Sequence, residues 1–317
     1  MQTVLVTGGA GFIGSHVCER LISSGKSVVC LDNLNDYYDP AIKERNIAGL
    51  KNNPCFTFVK KDITSASDIR DVFEKHQIDA IIHLAARAGV RPSLCDPLLY
   101  ARVNILGTIN LLEEAKHHGI KKIVAASSSS VYGTNTKIPF SEDDRVDVQV
   151  SPYAASKKAM EIYCRMYHEL YGIPIACLRF FTVYGPRGRQ DMATYTFMKT
   201  IEVGEPIYRF GNGMTKRDYT FVDDIVDGII SALHADIKFE IINLGNNAPV
   251  MLKDFIATVE TALGKKASII ERPEQQGDVP VTYADLTKAK RLLGYEPKTS
   301  LAEGMQKTVG WYRRKRQ

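Results

Sequence analysis

No apolar run in the 317-residue sequence approaches the ~18 residues needed to cross a bilayer, which excludes a transmembrane helix. The opening residues, Met1-Gln2-Thr3-Val4-Leu5-Val6-Thr7, carry neither a basic leader nor a small-residue cleavage site. A signal peptide is therefore not expected, and a cytoplasmic location is. The six cysteines (Cys18, Cys30, Cys55, Cys95, Cys164 and Cys177) include no CxxC pair and no metal-like spacing with the seven histidines. They read as reduced, mostly buried thiols, and no metal site is expected. Internal repeats and low-complexity tracts are also missing. Net charge is only +5, from 41 basic and 36 acidic residues. Its clearest concentration, Arg313-Arg314-Lys315-Arg316, lacks interleaved aromatics and reads as a solvated tail, so neither nucleic acid nor membrane is an expected partner.

With 44% apolar and 24% charged residues, the composition matches an ordinary globular protein. At roughly 100–200 residues per domain, there is room for one large domain and a smaller companion. Short β-branched runs read as strands at Thr3–Thr7, Ser27–Leu31, Phe56–Lys60, Ala80–His83, Ile123–Ser127 and Ile175–Arg179. Helical patterns lie between them at Phe12–Ser24, Pro40–Leu50, Ser67–His76, Pro97–His118 and Pro152–Tyr171. Such alternation predicts an α/β fold, a Rossmann-type doubly wound parallel sheet. The alternation fades after residue 180. Residues 1–180 are thus expected to form the larger Rossmann-type domain and 181–317 mainly a smaller mixed α/β domain. Segments near 222–246 are expected to return to the first sheet, and helices are expected at Leu252–Leu263 and Leu286–Leu293.

Directly after the first strand, Gly8, Gly11 and Gly14 give a GxxGxxG turn that opens a helix. Such a turn lets backbone N–H groups approach a pyrophosphate at the positive helix end. Asp32 ends the second strand, eighteen positions beyond Gly14. A carboxylate there accepts from an adenosine ribose and repels a 2′-phosphate, favouring NAD over NADP. Asn33 and Asn35 are expected to assist, Asp62 to lie at the adenine edge, and Leu84-Ala85-Ala86 to pack small groups against the cofactor.

Tyr153 and Lys157 stand four apart, on one face of a helix that Pro152 opens. A nearby ammonium, together with the positive nicotinamide ring of NAD⁺, is expected to lower the phenol from its ordinary ~10 toward the range of a general base. Upstream, Ser127-Ser128-Ser129-Ser130-Val131-Tyr132-Gly133 ends the fifth strand, where open α/β sheets bind their ligands.

GGAGFIGS, HLAA, the Ser-Val-Tyr-Gly block, PYAASK and RDYTFVDD follow the order found in extended short-chain dehydrogenase/reductases, and the whole chain resembles their nucleotide-sugar epimerases. The resemblance implies Ser128, Tyr153 and Lys157 as catalytic residues. It also implies NAD contacts from Gly8, Gly11, Phe12, Ile13, Gly14, Asp32, Asn33, Asn35, Asp62, Ile63, Leu84, Ala85, Ala86 and Asn104, together with Tyr153 and Lys157. Related dehydratases and decarboxylases typically carry an acid immediately before Val/Leu-Tyr-Gly. Ser130 stands there instead, which favours epimerisation. Homodimers of the family pair helices equivalent to Pro97–His118 and Pro152–Tyr171. Leu98, Leu99, Ile105, Leu111 and Leu112 on the first, with Met160, Tyr163, Met166, Tyr167 and Leu170 on the second, suit that pairing or burial against the sheet.

Two further blocks, Phe181–Ala193 and DNLNDYYDP (Asp32–Pro40), resemble UDP-glucuronate 4-epimerases. The resemblance places Arg189 on the sugar carboxylate with Thr182 nearby, Arg217 and Asp278 on the UDP moiety, and Arg87, Arg91, Ser128 and Tyr153 around the substrate. An arginine fork suits a carboxylate because it binds both oxygens. This sequence departs from the family's pattern at Arg87, at Pro92 and at Arg187, the last replacing a frequent tryptophan. Three arginines around the sugar leave open a neutral, N-acetylated or otherwise decorated UDP-sugar. A decarboxylase, a 4,6-dehydratase or an NAD-binding interaction protein are the remaining alternatives.

Overall fold

The computed structural model describes residues 2–273 and 280–314. The first half runs β1 (Thr3–Thr7), α1 (Phe12–Ser23), β2 (Ser27–Leu31), α2 (Pro40–Ile47), β3 (Phe56–Val59), α3 (Ala66–Lys75) and β4 (Ala80–His83). It continues through α4 (Val90–Cys95), α5 (Pro97–Tyr100), a π-helical turn (Ala101–Leu106), α6 (Gly107–His117), β5 (Lys122–Ser128), α7 (Pro152–Tyr171) and β6 (Ile175–Phe180). Beyond residue 180 come β7 (Thr182–Tyr184), α8 (Ala193–Glu202), β8 (Ile207–Phe210), β9 (Lys216–Phe221), α9 (Val222–His234) and β10 (Phe239–Leu244). The chain ends with β11 (Pro249–Met251), α10 (Leu252–Leu263), β12 (Ile269–Arg272), β13 (Val281–Thr282), α11 (Thr287–Leu293) and α12 (Leu301–Arg314).

Seven strands form a parallel sheet in the order β10-β6-β5-β4-β1-β2-β3. Successive strand residues face opposite sides. Val4, Val6, Ile82 and Val124 therefore pack toward Val17, Leu21, Ile225 and Ile229 of α1 and α9. Leu5, Ile81, Ile123 and Ile175 point the other way, toward Val72, Leu111 and Met160 of α3, α6 and α7. Both faces are covered, which explains why the strands read as continuous apolar runs. The order reverses between β1 and β4, and that switch point opens the crevice in which such sheets hold ligands.

The 222–246 stretch does return to the sheet: α9 packs on α1, and β10 extends the edge beside β6. The other second-half strands form a four-stranded sheet of β7, β9, β11 and β13 and a two-stranded sheet of β8 and β12.

Two expectations need correction, the helix over Pro97–His118 and the solvated basic run. The single helix expected over Pro97–His118 is broken into α5, the π-helical turn and α6, and α4 precedes it. Of the ten residues offered for helix pairing or burial against the sheet, Leu111, Leu112, Met160 and Tyr167 take the second course and join the core. The terminal basic run is not simply solvated: Arg313 donates to Glu202 and, at 2.7 Å, to the Leu263 carbonyl, while Lys315 and Arg316 lie outside the described residues. No described helix is long and apolar enough to cross a membrane, and all six cysteines are free thiols.

Candidate active site

A cleft of about 840 Å³ lies along the carboxyl ends of β1 to β6. The chain turns there from strand toward helix after β1 to β5, while β6 runs on into β7, and the residues at these strand ends line the cleft. The turn after β1 is possible only with glycine. Gly8 has φ +68°, and a Cβ on it would lie 2.7 Å from the Ala85 nitrogen. At Gly14 a Cβ would stand 2.2 Å from the Gly8 carbonyl. The result is a bare backbone cradle at the start of α1, which fits a pyrophosphate.

At the end of β2, Asp32 is buried and accepts from the backbone nitrogens of Ala10 (3.3 Å) and Leu34 (2.9 Å). Beside it, Asn33 Nδ2 donates to Asp62 Oδ2 at 2.8 Å, and Thr64 donates twice to Asp62 Oδ1. Leu84, Ala85 and Ala86 form the wall after β4. On the other side of the cleft, Ser128 and the face of α7 that carries Tyr153 and Lys157 meet Thr182, Arg189 and Arg217. Helix α7 starts where Ser151 Oγ accepts from Ala154 N at 3.1 Å, with Pro152 in the first turn. Ser128 acts on the Tyr153 phenol, working to lower its pKa, and Ser130 donates to Ser128 Oγ at 2.9 Å.

All the residues proposed from sequence line this one cleft except Asn104 and Asp278. Asp278 lies outside the described residues. Asn104 sits behind the wall: its amide bonds both the nitrogen and the carbonyl of Arg87 (2.8 and 2.9 Å) and Ser156 Oγ (2.9 Å). It fixes the loop beside the cleft rather than facing a ligand, and the π-helical turn is what aims it there. Arg187 is not among the cleft residues either. It adopts φ +64° and its NH2 reaches Glu19 Oε1 at 2.6 Å, so the arginine set of the sugar pocket is smaller than the sequence suggested.

The family described as GDP-mannose 4,6 dehydratase matches residues 5–308. A UDP-glucuronate 4-epimerase of Thermodesulfobacterium geofontis is 47% identical over 312 residues, 98% of this chain and 96% of that relative. The crystal structure of UDP-glucuronic acid 4-epimerase from Bacillus cereus, in complex with UDP-glucuronic acid and NAD, has TM-score 0.93 at 37% identity, covering 99% of both chains. That of UDP-glucose 4-epimerase from Thermotoga maritima with UDP-glucose has TM-score 0.92 at 32% identity, covering 100% of both. The chain belongs to the nucleotide-sugar 4-epimerases of the extended short-chain dehydrogenase/reductase superfamily.

In this epimerase-family chain the electrostatics of the reacting pair differ from the simple sequence picture. Lys157 Nζ donates to the Ala126 carbonyl at 2.7 Å, and burial lowers it to about 8 from an ordinary 10.5. Burial also pushes the Tyr153 phenol up, against the opposing influence of Ser128 and of the Arg189 charge. Without the nicotinamide's positive charge, desolvation outweighs the groups that lower the phenol. Burial would likewise raise Asp62, but the bonds from Thr64 and Asn33 outweigh it and hold the carboxyl below the usual range.

Sequence reading missed several cleft residues. Lys43 is buried with its ammonium 3.7 Å from Asp32 Oδ1 and 3.1 Å from Asn35 Oδ1. Tyr37 lies under the Arg87 guanidinium, 5.1 Å from its ring centroid. Behind the lining, the buried Tyr100 meets Tyr153 edge-on, with ring centroids 6.2 Å apart. Both Tyr37 and Lys43 lie in or just past the DNLNDYYDP block, so the signal was present but had been read only as a resemblance.

Proposed function

We propose that the protein is an NAD-dependent UDP-glucuronate 4-epimerase. The observation that carries the reading is the shared cleft: the Ser128–Tyr153 pair and the Arg189 guanidinium line one space, close enough for the arginine's charge to act on the phenol. The glycine cradle, Asp32, Asn33, Asn35, Asp62, Ile63 and the Leu84–Ala86 wall would hold NAD. When bound, NAD supplies an acceptor for the C4 hydride and gives it back to the opposite face. Tyr153 takes the proton from the sugar 4-hydroxyl and later returns it. Ser128 holds that oxygen through the same hydrogen-bond network. The buried ammonium of Lys157 favours the phenolate once ligands fill the cleft. Between the two transfers the 4-keto sugar turns over.

Arg189 and Thr182 would hold the sugar carboxylate, which matters chemically because a 4-keto uronate is a β-keto acid that loses CO₂ if the carboxylate rotates freely. Ser130 supports epimerisation over elimination, since its uncharged hydroxyl already donates to Ser128. Arg217, Arg91 and Arg87 add positive charge for the diphosphate. The second half of the chain, with Asp278, would bind the UDP moiety.

We further propose a homodimer built on α5, the π-helical turn and α7. Leu98, Ile162 and Leu170 remain 75%, 59% and 63% exposed there, and Leu106 and Met166 are also exposed. A reducing, cytoplasmic location suits six free thiols.

The test is proton NMR of the purified protein, without added NAD, supplied separately with UDP-glucuronate, UDP-glucose and UDP-N-acetylglucosamine. A galacto-configured product from UDP-glucuronate is expected. Turnover of only the neutral sugars would remove Arg189's role, and UDP-xylose or an accumulating 4-keto product would overturn the reading of Ser130.

A further inference from the structure

Arg189 does not enter the cleft alone. Its Nε donates to Asp191 Oδ1 at 3.0 Å and its NH2 to Asp191 Oδ2 at 2.7 Å. These donors form one edge of the guanidinium plane. The end of the fork, both NH1 hydrogens and the second NH2 hydrogen, is not part of that pair. A carboxylate bound end-on and Asp191 bound side-on are therefore compatible on one guanidinium. Asp191 is itself tethered. Tyr37 Oη has one proton to share between Asp191 Oδ2 at 3.2 Å and the Ala88 carbonyl at 2.8 Å; that carbonyl accepts from Tyr100 Oη at 2.8 Å, which leaves the Tyr37 proton free to serve Asp191. The guanidinium carbon sits 5.7 Å from the Tyr37 ring centroid. Residues from the loops after β2, β4 and β7 thus meet at this point, and Tyr100 continues the contact to Tyr153.

We propose that Asp191, anchored by Tyr37, is the positioning residue that fixes the Arg189 fork and so sets the preference for a carboxylate-bearing sugar. The inference rests on the function proposed above for Arg189. An arginine side chain has many rotamers to lose when it is fixed in one. Holding one edge in advance leaves less of that freedom to be lost when substrate arrives. The tether also explains why an exposed loop can place a charge accurately.

The test measures binding rather than turnover, by calorimetry on NAD-loaded protein carrying Tyr153→Phe so that bound sugar is not converted. UDP-glucuronate and UDP-glucose are compared in four forms: no further change, Asp191→Asn, Arg189→Ala, and both together. Without further change, UDP-glucuronate is expected to bind more tightly than UDP-glucose. Asp191→Asn should weaken UDP-glucuronate about tenfold and UDP-glucose less than about twofold, on the scale of a charge-assisted hydrogen bond. With Arg189→Ala already present, Asp191→Asn should add no further loss, because its effect passes through the arginine. Tyr37→Phe, which keeps the carboxylate, should give a smaller loss of the same selectivity.

Equal weakening of both sugars would make Asp191 merely structural and overturn the proposal. Tighter binding of UDP-glucuronate would show Asp191 to be a competitor for the fork, and an effect that persists without Arg189 would show that it acts elsewhere. Normal selectivity in these chains but no conversion of UDP-glucuronate by the unsubstituted protein would sink the proposed epimerisation and leave the Asp191 inference standing. No selectivity for the uronate before Asp191 is changed would remove both.

Discussion

The hydroxyl of Ser130 donates to Ser128 Oγ at 2.9 Å, and Ser128 in turn works to lower the pKa of the Tyr153 phenol. Beside the charges of Arg189 and Lys157, the Ser130–Ser128 chain that leads to the tyrosine is made of neutral hydroxyls. Such a set can pass one proton to and from a sugar hydroxyl. It offers no second acid–base group of the kind an elimination at the neighbouring carbons requires.

Replacing Tyr153 by Phe removes the only group assigned to take that proton. Steady-state kinetics should show kcat lower by about 10²–10⁴, the usual contribution of a general base. Retained NAD, measured after denaturation, should be unchanged. Full turnover by this variant contradicts the mechanism.

Arg189→Ala should impair UDP-glucuronate far more than a neutral UDP-sugar, since only the uronate loses its partner. Release of the carboxylate also opens a side reaction. In the 4-keto stage the C5–C6 bond breaks, its electron pair moves into the 4-carbonyl as an enolate that is protonated at C5, and CO₂ leaves. A ¹³C label at C6 should therefore appear in CO₂ at a higher fraction of turnovers than in the unsubstituted enzyme. Arg189→Lys should restore binding only partly, because an ammonium lacks the planar fork.

Lys157 ties stability to pH. Its ammonium is lowered to about 8 in the fold from an ordinary 10.5. Between these values the unfolded chain keeps a proton that the folded chain has lost, so this group's contribution to stability rises with pH. Below about pH 8 its penalty is full and constant. Comparing NAD-stripped protein with Lys157→Met by urea unfolding isolates the effect from the buried tyrosines, which act in the opposite direction. The two proteins' stabilities should converge, or reverse in order, by up to about 3 kcal/mol between pH 7.5 and 10. Parallel pH dependences would show that Lys157 is not held at a lowered value.

Behind the serine block, Glu161 and Arg179 form a bidentate pair at 2.8 and 2.9 Å, each side chain 1% exposed, and Ser127 Oγ donates to Glu161 at 2.6 Å. Glu161→Ala leaves the buried guanidinium without its counter-charge and should cost about 3–5 kcal/mol of stability. Denaturant unfolding reads this directly. Glu161→Gln, which keeps the shape and one acceptor, should cost less. Equal, small losses for both would show that the pair is replaceable by water.

The sheet and the dinucleotide turn were legible because each depends on local chemistry: a run of β-branched residues such as Ser27–Leu31, or glycines at fixed spacing before a helix. The order Ser128, Tyr153, Lys157 was legible for the same reason. What escaped reading depends on contacts between distant segments. Asp191 meets Tyr37 across 154 positions, and nothing near either residue announces the other. The π-helical turn that aims Asn104 interrupts a pattern whose periodicity reads as one helix over Pro97–His118. Arg187 looks like a pocket residue by its neighbours in sequence, yet its left-handed backbone carries it to Glu19 on α1. Lys157 was read correctly in place but not in charge balance, since burial, which sequence does not display, outweighs the neighbouring groups.

The central claim is that one hydride leaves C4 and returns to the same carbon without exchange. UDP-glucuronate deuterated at C4, incubated with the purified protein in ordinary water and with no added NAD, tests it by NMR. The account predicts a galacto-configured product that keeps its deuterium at C4. Loss of the label to solvent, or its appearance at another carbon, would contradict it.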